Sequence, residues 1–149
     1  MITDIVNGIS AYGAQVAITA PAFEDSSIQV ANPNDNNTVA TIKRLSFYCN
    51  AAAIMICKYR TYPFISPFAA VSIDNLNSDG VEPGIEIIGV PYEGNGNGIV
   101  RWNVDAAGLF IVPEYDLGML VYPGSVLDVV SDTSGTDVTF NVEWEERKI

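Results

Sequence analysis

Residues 137–146 read Asp-Val-Thr-Phe-Asn-Val-Glu-Trp-Glu-Glu, and apolar and polar side chains alternate along them. Apolar residues occupy every second position from Val138 to Trp144, and polar residues occupy the positions between. This period of two is the period at which side chains of a β-strand point to opposite faces of a sheet. The stretch Thr136–Glu146 therefore predicts a strand with one face in an apolar core and the other facing water.

Further short segments rich in β-branched and aromatic residues precede this strand, with Gly, Pro and Asn between them. No apolar pattern of helical period runs for more than two turns. Such a series predicts an all-β fold, an antiparallel β-sandwich or jelly roll of about eight strands. The predicted strands are Ser27–Ala31, Thr38–Cys49, Ala52–Thr61, Ala69–Ile73, Ile85–Val90, Ile99–Val104, Leu109–Val112, Ser125–Ser131 and Thr136–Glu146.

The N-terminal segment differs from the rest of the chain. Ile2, Ile5 and Val6 fall at helical spacing, but nearby glycines limit such a helix to a turn or two. We therefore expect residues 1–25 to form an extended N-terminal arm, and residues 26–149 to form a single β-sandwich domain.

The chain is poor in charge, and the charge that it carries is unbalanced. Charged residues make up 17% of its 149 residues, against about 25% in an average globular protein. Because the cores of protein interfaces are depleted of charge, this composition favours a surface partly covered by other subunits. Acidic residues outnumber basic ones by 18 to seven, and the net charge of −11 repels phosphate backbones. We expect protein partners and no nucleic acid.

Few residues offer catalytic or cofactor chemistry. The chain has no histidine, which removes Ser-His-Asp and Cys-His nucleophiles and the commonest metal ligand. The spacing of Cys49 and Cys57 fits neither a redox pair nor a zinc site, so both are interpreted as buried apolar residues. Paired carboxylates remain, but nothing in the sequence indicates that they converge in a cleft. We predict a protein that is not an enzyme and carries no cofactor.

Membrane insertion and export are not indicated. No segment approaches the roughly 20 consecutive apolar residues of a membrane-spanning helix. Met1–Asp4 lack the basic and apolar regions that begin an export signal. We expect synthesis in a cytoplasm and no membrane partner.

Residues Asn75–Glu86 fit the spacing of a calcium-binding loop. Oxygen-bearing side chains stand at the first, third and fifth positions, glycine at the sixth and glutamate at the twelfth. Asn75 stands where an aspartate is usual, however, and strand-like segments flank the loop where helices are expected. A plain loop between two strands is therefore the favoured interpretation, and no metal site is predicted.

Four of the seven basic residues lie in two adjacent predicted strands, separated by Asn50-Ala51. If the two strands form a hairpin, Arg44 comes opposite Lys58. Lys43 then comes opposite Arg60, and like charges facing each other across strands are destabilising. Compensating carboxylates are expected either from the same subunit or from a neighbouring one. The second alternative makes these four residues an electrostatic contact between subunits.

The segment Tyr59–Phe68 combines aromatic side chains with two prolines, which exclude it from the centre of a sheet. Aromatic residues and arginine are enriched at the hot spots of protein interfaces. The segment is either a loop that caps the core or a surface that binds another protein. Its candidate interface residues are Tyr59, Tyr62, Phe64 and Phe68.

Three features together resemble small jelly-roll or β-sandwich structural proteins of tailed-phage virions, in particular head decoration (cement) proteins. They are the apolar, Gly/Ala-rich segment before the first predicted strand, the Pro-Gly turn within Val121–Leu127, and the closing strand. The resemblance implies a homo-oligomer, often a trimer, that binds the major capsid protein from outside and stabilises the virion. The implied location is the virion, assembled in the host cytoplasm. The candidate contact residues are Ile2, Ile5, Val6, Lys43, Arg44, Lys58, Tyr59, Arg60, Tyr62, Phe64 and Phe68.

A ligand- or glycan-binding β-sandwich module, such as a receptor-binding tail or fibre domain, is the alternative from another functional class. Aromatic rings in such modules stack on sugar rings. Trp144 falls on the apolar face of the closing strand, which leaves Trp102 as the better placed tryptophan.

Overall fold

The secondary structure is almost entirely β. The computed structural model of the chain describes residues 9–20, 25–33, 35, 37–61, 72–76, 81–92 and 100–149. In these ranges no helix is long and apolar enough to span a membrane. The elements are β1 Ile9–Ile18, β2 Asp25–Ala31, β3 Thr38–Cys49, β4 Ala53–Thr61, β5 Asp74–Asn75, β6 Glu86–Tyr92, β7 Val100–Val104, β8 Gly108–Ile111, a 3-10 helix Glu114–Asp116, β9 Leu120–Val121, β10 Ser125–Ser131 and β11 Val138–Lys148.

The strands form two antiparallel sheets that pack face to face. Sheet A has the order β5-β1-β11-β3-β8, with β9 also paired to β3, and sheet B has the order β6-β2-β10-β4-β7. The chain alternates between the sheets from β1 to β4, and again through β7, β8, β10 and β11. This is the double-sheet wrapping of a jelly roll. The predicted all-β antiparallel sandwich is confirmed.

Strand β11 lies at the centre of sheet A, between β1 and β3. Its inward residues from Val138 to Trp144 are each at most 2% exposed, which confirms the alternation in the sequence. The Phe140 ring meets Phe47 of β3 edge-on at 5.9 Å, and Trp144 stacks on Tyr12 of β1 at the same distance. Burying one such ring contributes roughly 4–6 kcal/mol before the loss of conformational entropy is counted.

Sheet B is buried on its inward face and along the centre of its outward face. Its inward residues complete the core, and they include Ile28, Met55 and Leu127. On the outward face, Gln29 of β2 and Val126 of β10 are also fully buried, whereas the outward residues of β7 are exposed. Strands β2 and β10 are thus buried on both faces, and the period-two pattern is clearer in β11, which has one buried and one open face.

Eight of the nine predicted strands correspond to observed strands, with ends shifted by at most two residues. The predicted strand Ala69–Ile73 lies outside the described residues except for positions 72 and 73, which are not in a strand.

The predicted N-terminal arm is wrong for residues 9–18. These residues form β1, which pairs with β11 from Ile9 opposite Arg147 to Ile18 opposite Val138. One alternate set of β1 residues enters the core, and the opposite face carries alanine and glycine where polar residues would be expected. The alternation of apolar and polar residues is therefore weak, which hid the strand in the sequence. Ile2, Ile5 and Val6 lie outside the described residues.

The predicted hairpin of β3 and β4 is also wrong. Strand β3 pairs with β11 and β8 in sheet A, whereas β4 pairs with β10 and β7 in sheet B. The apolar faces of the two strands bury Phe47 and Met55 in one core, across the sandwich rather than side by side. A tight hairpin also needs two residues that accept positive φ, and Asn50-Ala51 supplies one.

Gly89 of β6 lies where the two sheets approach closely. A Cβ added there would lie 2.8 Å from Ile18 Cδ1 and 2.9 Å from Val16 Cγ2, both in β1. A Cβ added to Gly13 of β1 would instead find Glu143 and Leu76 at 3.5 Å or more, which is ordinary contact.

Substituting Gly89→Ala is expected to lower the free energy of unfolding by about 1–3 kcal/mol, because the methyl group overpacks the space between β6 and β1. Gly13→Ala is the matched control, and it should be neutral or stabilising by a few tenths of a kcal/mol because alanine restricts the unfolded chain. Urea denaturation measures both. Equal effects of the two substitutions would contradict the close approach of the sheets at Gly89.

Both cysteines are free and buried, as predicted. Burial raises the pKa of the Cys49 thiol above its ordinary value. Burial, reinforced by the negative charge of Asp128, raises the pKa of Cys57 from 9.0 to about 12. Folding therefore disfavours the thiolate of Cys57.

The raised pKa of Cys57 predicts a loss of stability in alkali. Below pH 9 the thiol is protonated in both states, but above pH 9 only the unfolded state ionises, so stability falls until the pH reaches about 12. Between pH 8 and pH 10 this contribution amounts to about 1.4 kcal/mol. Urea denaturation should show that the wild type loses this much more than Cys57→Ala. Equal losses would show that Cys57 ionises freely in the folded protein.

Candidate protein-binding surface

The face of sheet A directed away from the core is the exposed face of the sandwich. Short and polar side chains cover its centre, where Gln15 of β1, Asn141 of β11 and Ser46 of β3 lie in one row across the strands. We call this the outer face of sheet A. It differs from the outward face of sheet B at β2 and β10, where the side chains are buried.

Large apolar side chains gather at the β8 end of this outer face. Leu109 is 62% exposed and Ile111 69% exposed, and Tyr48 of β3, which pairs with Leu109, is 54% exposed. We call these three residues the β8 patch. Tyr115 of the 3-10 helix, 85% exposed, follows β8 closely in the chain. A contiguous apolar patch of this kind is typical of a surface that binds another protein.

A groove with a volume of about 410 Å³ borders the β8 patch. Leu109 and Ile111 contribute apolar atoms to its lining, and Arg44, Glu114 and Glu143 contribute charged groups. An apolar surface beside charged groups is the composition of a protein interface with a dry centre and a polar rim.

A β-bulge exposes two basic residues beside this groove. The register between β3 and β11 shifts after the pair Arg44 and Glu143, so the neighbouring Lys43 and Arg44 are both exposed. Arg44 Nε lies 3.6 Å from Glu143 Oε2, and its side chain is 81% exposed. Such an exposed ion pair contributes little to stability and leaves Arg44 accessible to a partner.

The other two predicted basic residues lie on sheet B, so the four do not form one group. Arg60 Nε donates to Asp128 Oδ2 at 3.0 Å, and Asp128, which is fully buried, also accepts a hydrogen bond from Ser27 Oγ at 3.2 Å. Lys58 stands opposite Asp128 and is buried, and desolvation, with a smaller contribution from Arg60, lowers its pKa. This is the pairing within one subunit that the sequence left open. The predicted contact of Lys58 and Arg60 with another subunit stays a prediction.

The aromatic segment Tyr59–Phe68 is described only at its beginning. Tyr59 is half-exposed, and its hydroxyl donates to the carbonyl of Leu120 at 2.7 Å, which joins β4 to β9 at one end of the sandwich. Burial is the main cause that raises the pKa of Tyr59. Tyr62, Phe64 and Phe68 lie outside the described residues.

Trp102 does not offer a sugar-stacking surface, which corrects the expectation drawn for a glycan-binding module. It is 4% exposed, and its ring packs against Phe47 with centroids 5.6 Å apart. Its Nε1 donates to Asp116 Oδ2 at 2.8 Å. The ring therefore belongs to the core, and its polar atom anchors the 3-10 helix.

Glu146 is a buried carboxylate that the sequence did not single out. Its oxygens accept hydrogen bonds from Trp144 Nε1 at 2.8 Å, from the Gly84 amide at 2.7 Å and from the Ile85 amide at 3.4 Å. The carboxylate thus ties the chain before β6 to β11, and it also lines a cavity of about 270 Å³.

The calcium-type spacing of Asn75–Glu86 falls partly on residues 77–80, outside the described ranges. Asn75 Nδ2 donates to the carbonyl of Val81 at 3.1 Å. Over the positions that the structure describes, no three acidic or cysteine side chains gather as a metal site would require.

The β8 patch was not predicted from the sequence, although the order of residues in β8 indicates it. Gly108–Ile111 reads Gly-Leu-Phe-Ile, so apolar residues are consecutive rather than alternate. Phe110 enters the core against Phe47. Leu109 and Ile111 must then point outward, as surplus apolar side chains on an exposed face.

Comparison of the chain with protein-family models finds no match, and comparison with curated proteins finds none either. The proposals below therefore rest on the geometry and chemistry of the chain itself.

The two ion pairs predict unequal effects of removing their carboxylates. Asp128→Ala should destabilise the fold by about 3–5 kcal/mol, because it leaves the buried cationic groups of sheet B without their counter-charge. Glu143→Ala, the matched exposed carboxylate, should cost less than about 1 kcal/mol. Chemical denaturation of both variants measures the difference. A loss of less than about 1 kcal/mol for both would contradict the buried pairing.

Proposed function

We propose that the chain is a non-enzymatic structural protein of a virion, a capsid decoration or cement protein. In this role it binds the outer surface of the capsid, as part of a homo-oligomer, and stabilises it. The observation that carries the proposal is the outer face of sheet A, where the β8 patch lies beside exposed basic residues. The resemblance drawn from the sequence supplies the kind of partner, the major capsid protein.

The β8 patch supports a role in binding because leaving it in water is unfavourable. Tyr48, Leu109 and Ile111 are all more than half exposed. Burying apolar surface contributes about 25 cal/mol for each Å², and aromatic residues dominate the energetics of many interfaces. A protein neighbour that covers the patch would remove this cost, and the charged groups around it would form the rim.

The distribution of charge supports a defined orientation on the partner. The chain carries a net charge of −11, yet Lys43 and Arg44 are exposed together on the outer face. An acidic surface of the partner would attract this face while the rest of the chain is repelled. The low charge content of the whole chain is consistent with a surface that is partly covered after assembly.

The environments of several carboxylates support a structural role. Asp128 is paired with Arg60, Glu146 accepts three N–H donors, and Glu143 lies next to Arg44. In each case the carboxylate joins elements of the fold to one another.

Reversing the two charges on the outer face should weaken binding to capsids. The variant Lys43→Glu with Arg44→Glu is expected to raise the dissociation constant roughly tenfold or more, since two attractive contacts become repulsive. The matched control is Arg101→Glu with Lys148→Glu, which makes the same change in net charge at exposed positions that do not lie on the outer face of sheet A. It should bind like the wild type.

Co-sedimentation measures this binding with capsids assembled from the major capsid protein encoded next to the gene for this chain. Saturable binding by the wild type and by the control, but not by the variant, supports the proposal. Absence of a capsid gene in the neighbourhood, or wild-type protein that stays in the supernatant, contradicts it.

A further inference from the structure

Strand β8 lies at one end of sheet A, and its far edge has no neighbouring strand in the part of the chain that the structure describes. On its near edge it pairs with β3, from Gly108 opposite Cys49 to Ile111 opposite Ser46. An edge strand that carries exposed apolar side chains is a ready template for another strand.

The hydrogen-bond pattern shows which backbone groups of β8 face outward. The Val112 amide donates to the Leu45 carbonyl at 3.0 Å, which identifies Val112 and Leu45 as a hydrogen-bonded pair. Because such pairs alternate with non-hydrogen-bonded ones in an antiparallel ladder, Phe110 also bonds to β3. The amide and carbonyl of Leu109 and Ile111 therefore point to the open edge.

We propose that β8 pairs with β8 of a second copy of this chain, antiparallel and about a two-fold axis at Phe110. In this register Leu109 of the first copy stands opposite Ile111 of the second, and Ile111 of the first stands opposite Leu109 of the second. These are the residues whose backbone groups point outward, so each facing pair exchanges both of its N–H···O bonds. The edge is thus self-complementary, as an isologous two-fold contact requires.

The side chains fit the same register. Leu109 and Ile111 of both copies form one apolar cluster on the outer face, flanked by Tyr48 from each copy. Directly beyond the strand, Glu114 comes opposite Ala106 of the second copy, and Asp105 comes opposite Tyr115. These acidic residues lie beyond the paired positions, so the contact is complementary in its backbone groups and its apolar side chains.

Pairing of this kind makes the two copies of sheet A one continuous sheet. The two-fold axis is perpendicular to the sheet, so both outer faces, with Lys43 and Arg44 of each copy, lie on the same side. The inference deepens the homo-oligomer of the proposed function by naming its contact, and that contact holds whether or not the partner of the joined face is a capsid.

The test compares the self-association of variants that carry a substitution on the β8 edge with that of a variant substituted elsewhere. Ile111→Pro removes an amide that points outward while sparing the bonds to β3, and Ile111→Lys places charge in the apolar cluster. Ile149→Lys is the matched control, because Ile149 is also an exposed isoleucine, at 72%, but lies at the end of the chain. Light scattering and sedimentation equilibrium give the mass and the dissociation constant.

We expect the wild type and Ile149→Lys to be dimers, and both Ile111 variants to have a dimer dissociation constant at least tenfold higher. A second measurement does not depend on folding of the proline variant: a mixture of Leu109→Cys and Ile111→Cys should form more disulfide-linked dimer than either alone. A monomeric or trimeric wild type, unchanged dimers of Ile111→Lys, or equal cross-linking in all samples overturns the inference. A monomer that still binds capsids overturns the inference and the homo-oligomer, but leaves capsid binding by this chain in place.

Discussion

The packing of sheet A against sheet B through the inward residues of β11 is the constraint on which the rest of the structure depends. Phe140 and Trp144 fill the centre of the core, and they contact aromatic rings from β3 and β1 on either side. Because β11 pairs along its length with both of these strands, it fixes their register. The register in turn decides which side chains of β1, β3 and β8 point away from the core.

The two sheets have different surroundings, and this difference indicates where a partner is expected. The outward face of sheet B is buried along β2 and β10, and its polar groups form internal pairs such as that of Arg60 with Asp128. The outer face of sheet A is open, and β8 presents both apolar side chains and outward backbone groups there. An interaction with another protein chain is thus expected at sheet A, and at the β8 edge above all.

Sequence patterns predicted the elements whose two faces differ strongly in polarity. Strand β11 is the clearest example, because each inward apolar residue alternates with a polar one. Strand β1 was missed because its outward face carries small rather than polar residues, so that apolar and polar residues alternate only weakly along it. The hairpin of β3 and β4 was wrong for a related reason. Strong apolar faces show that two strands share a core, but not whether they lie in the same sheet.

The candidate site was predicted only in part, because exposure depends on the assembled sheets. Lys43 and Arg44 were singled out from the sequence, and a bulge in β3 exposes both. The β8 patch was not predicted from the sequence. Leu109 and Ile111 resemble core residues, and only the inward position of Phe110 in the structure shows that they point outward. Lys58 looked like a surface lysine, but it faces a buried carboxylate.

Amide hydrogen exchange, resolved by residue, tests most directly whether the β8 edge is a protein-binding surface. In the dissociated chain the amides of Leu109 and Ile111 should exchange quickly, and that of Phe110 slowly, because only Phe110 bonds to β3. On assembly the first two should become strongly protected while Phe110 changes little. Rapid exchange of Leu109 and Ile111 in the assembled as well as the dissociated protein would contradict the account.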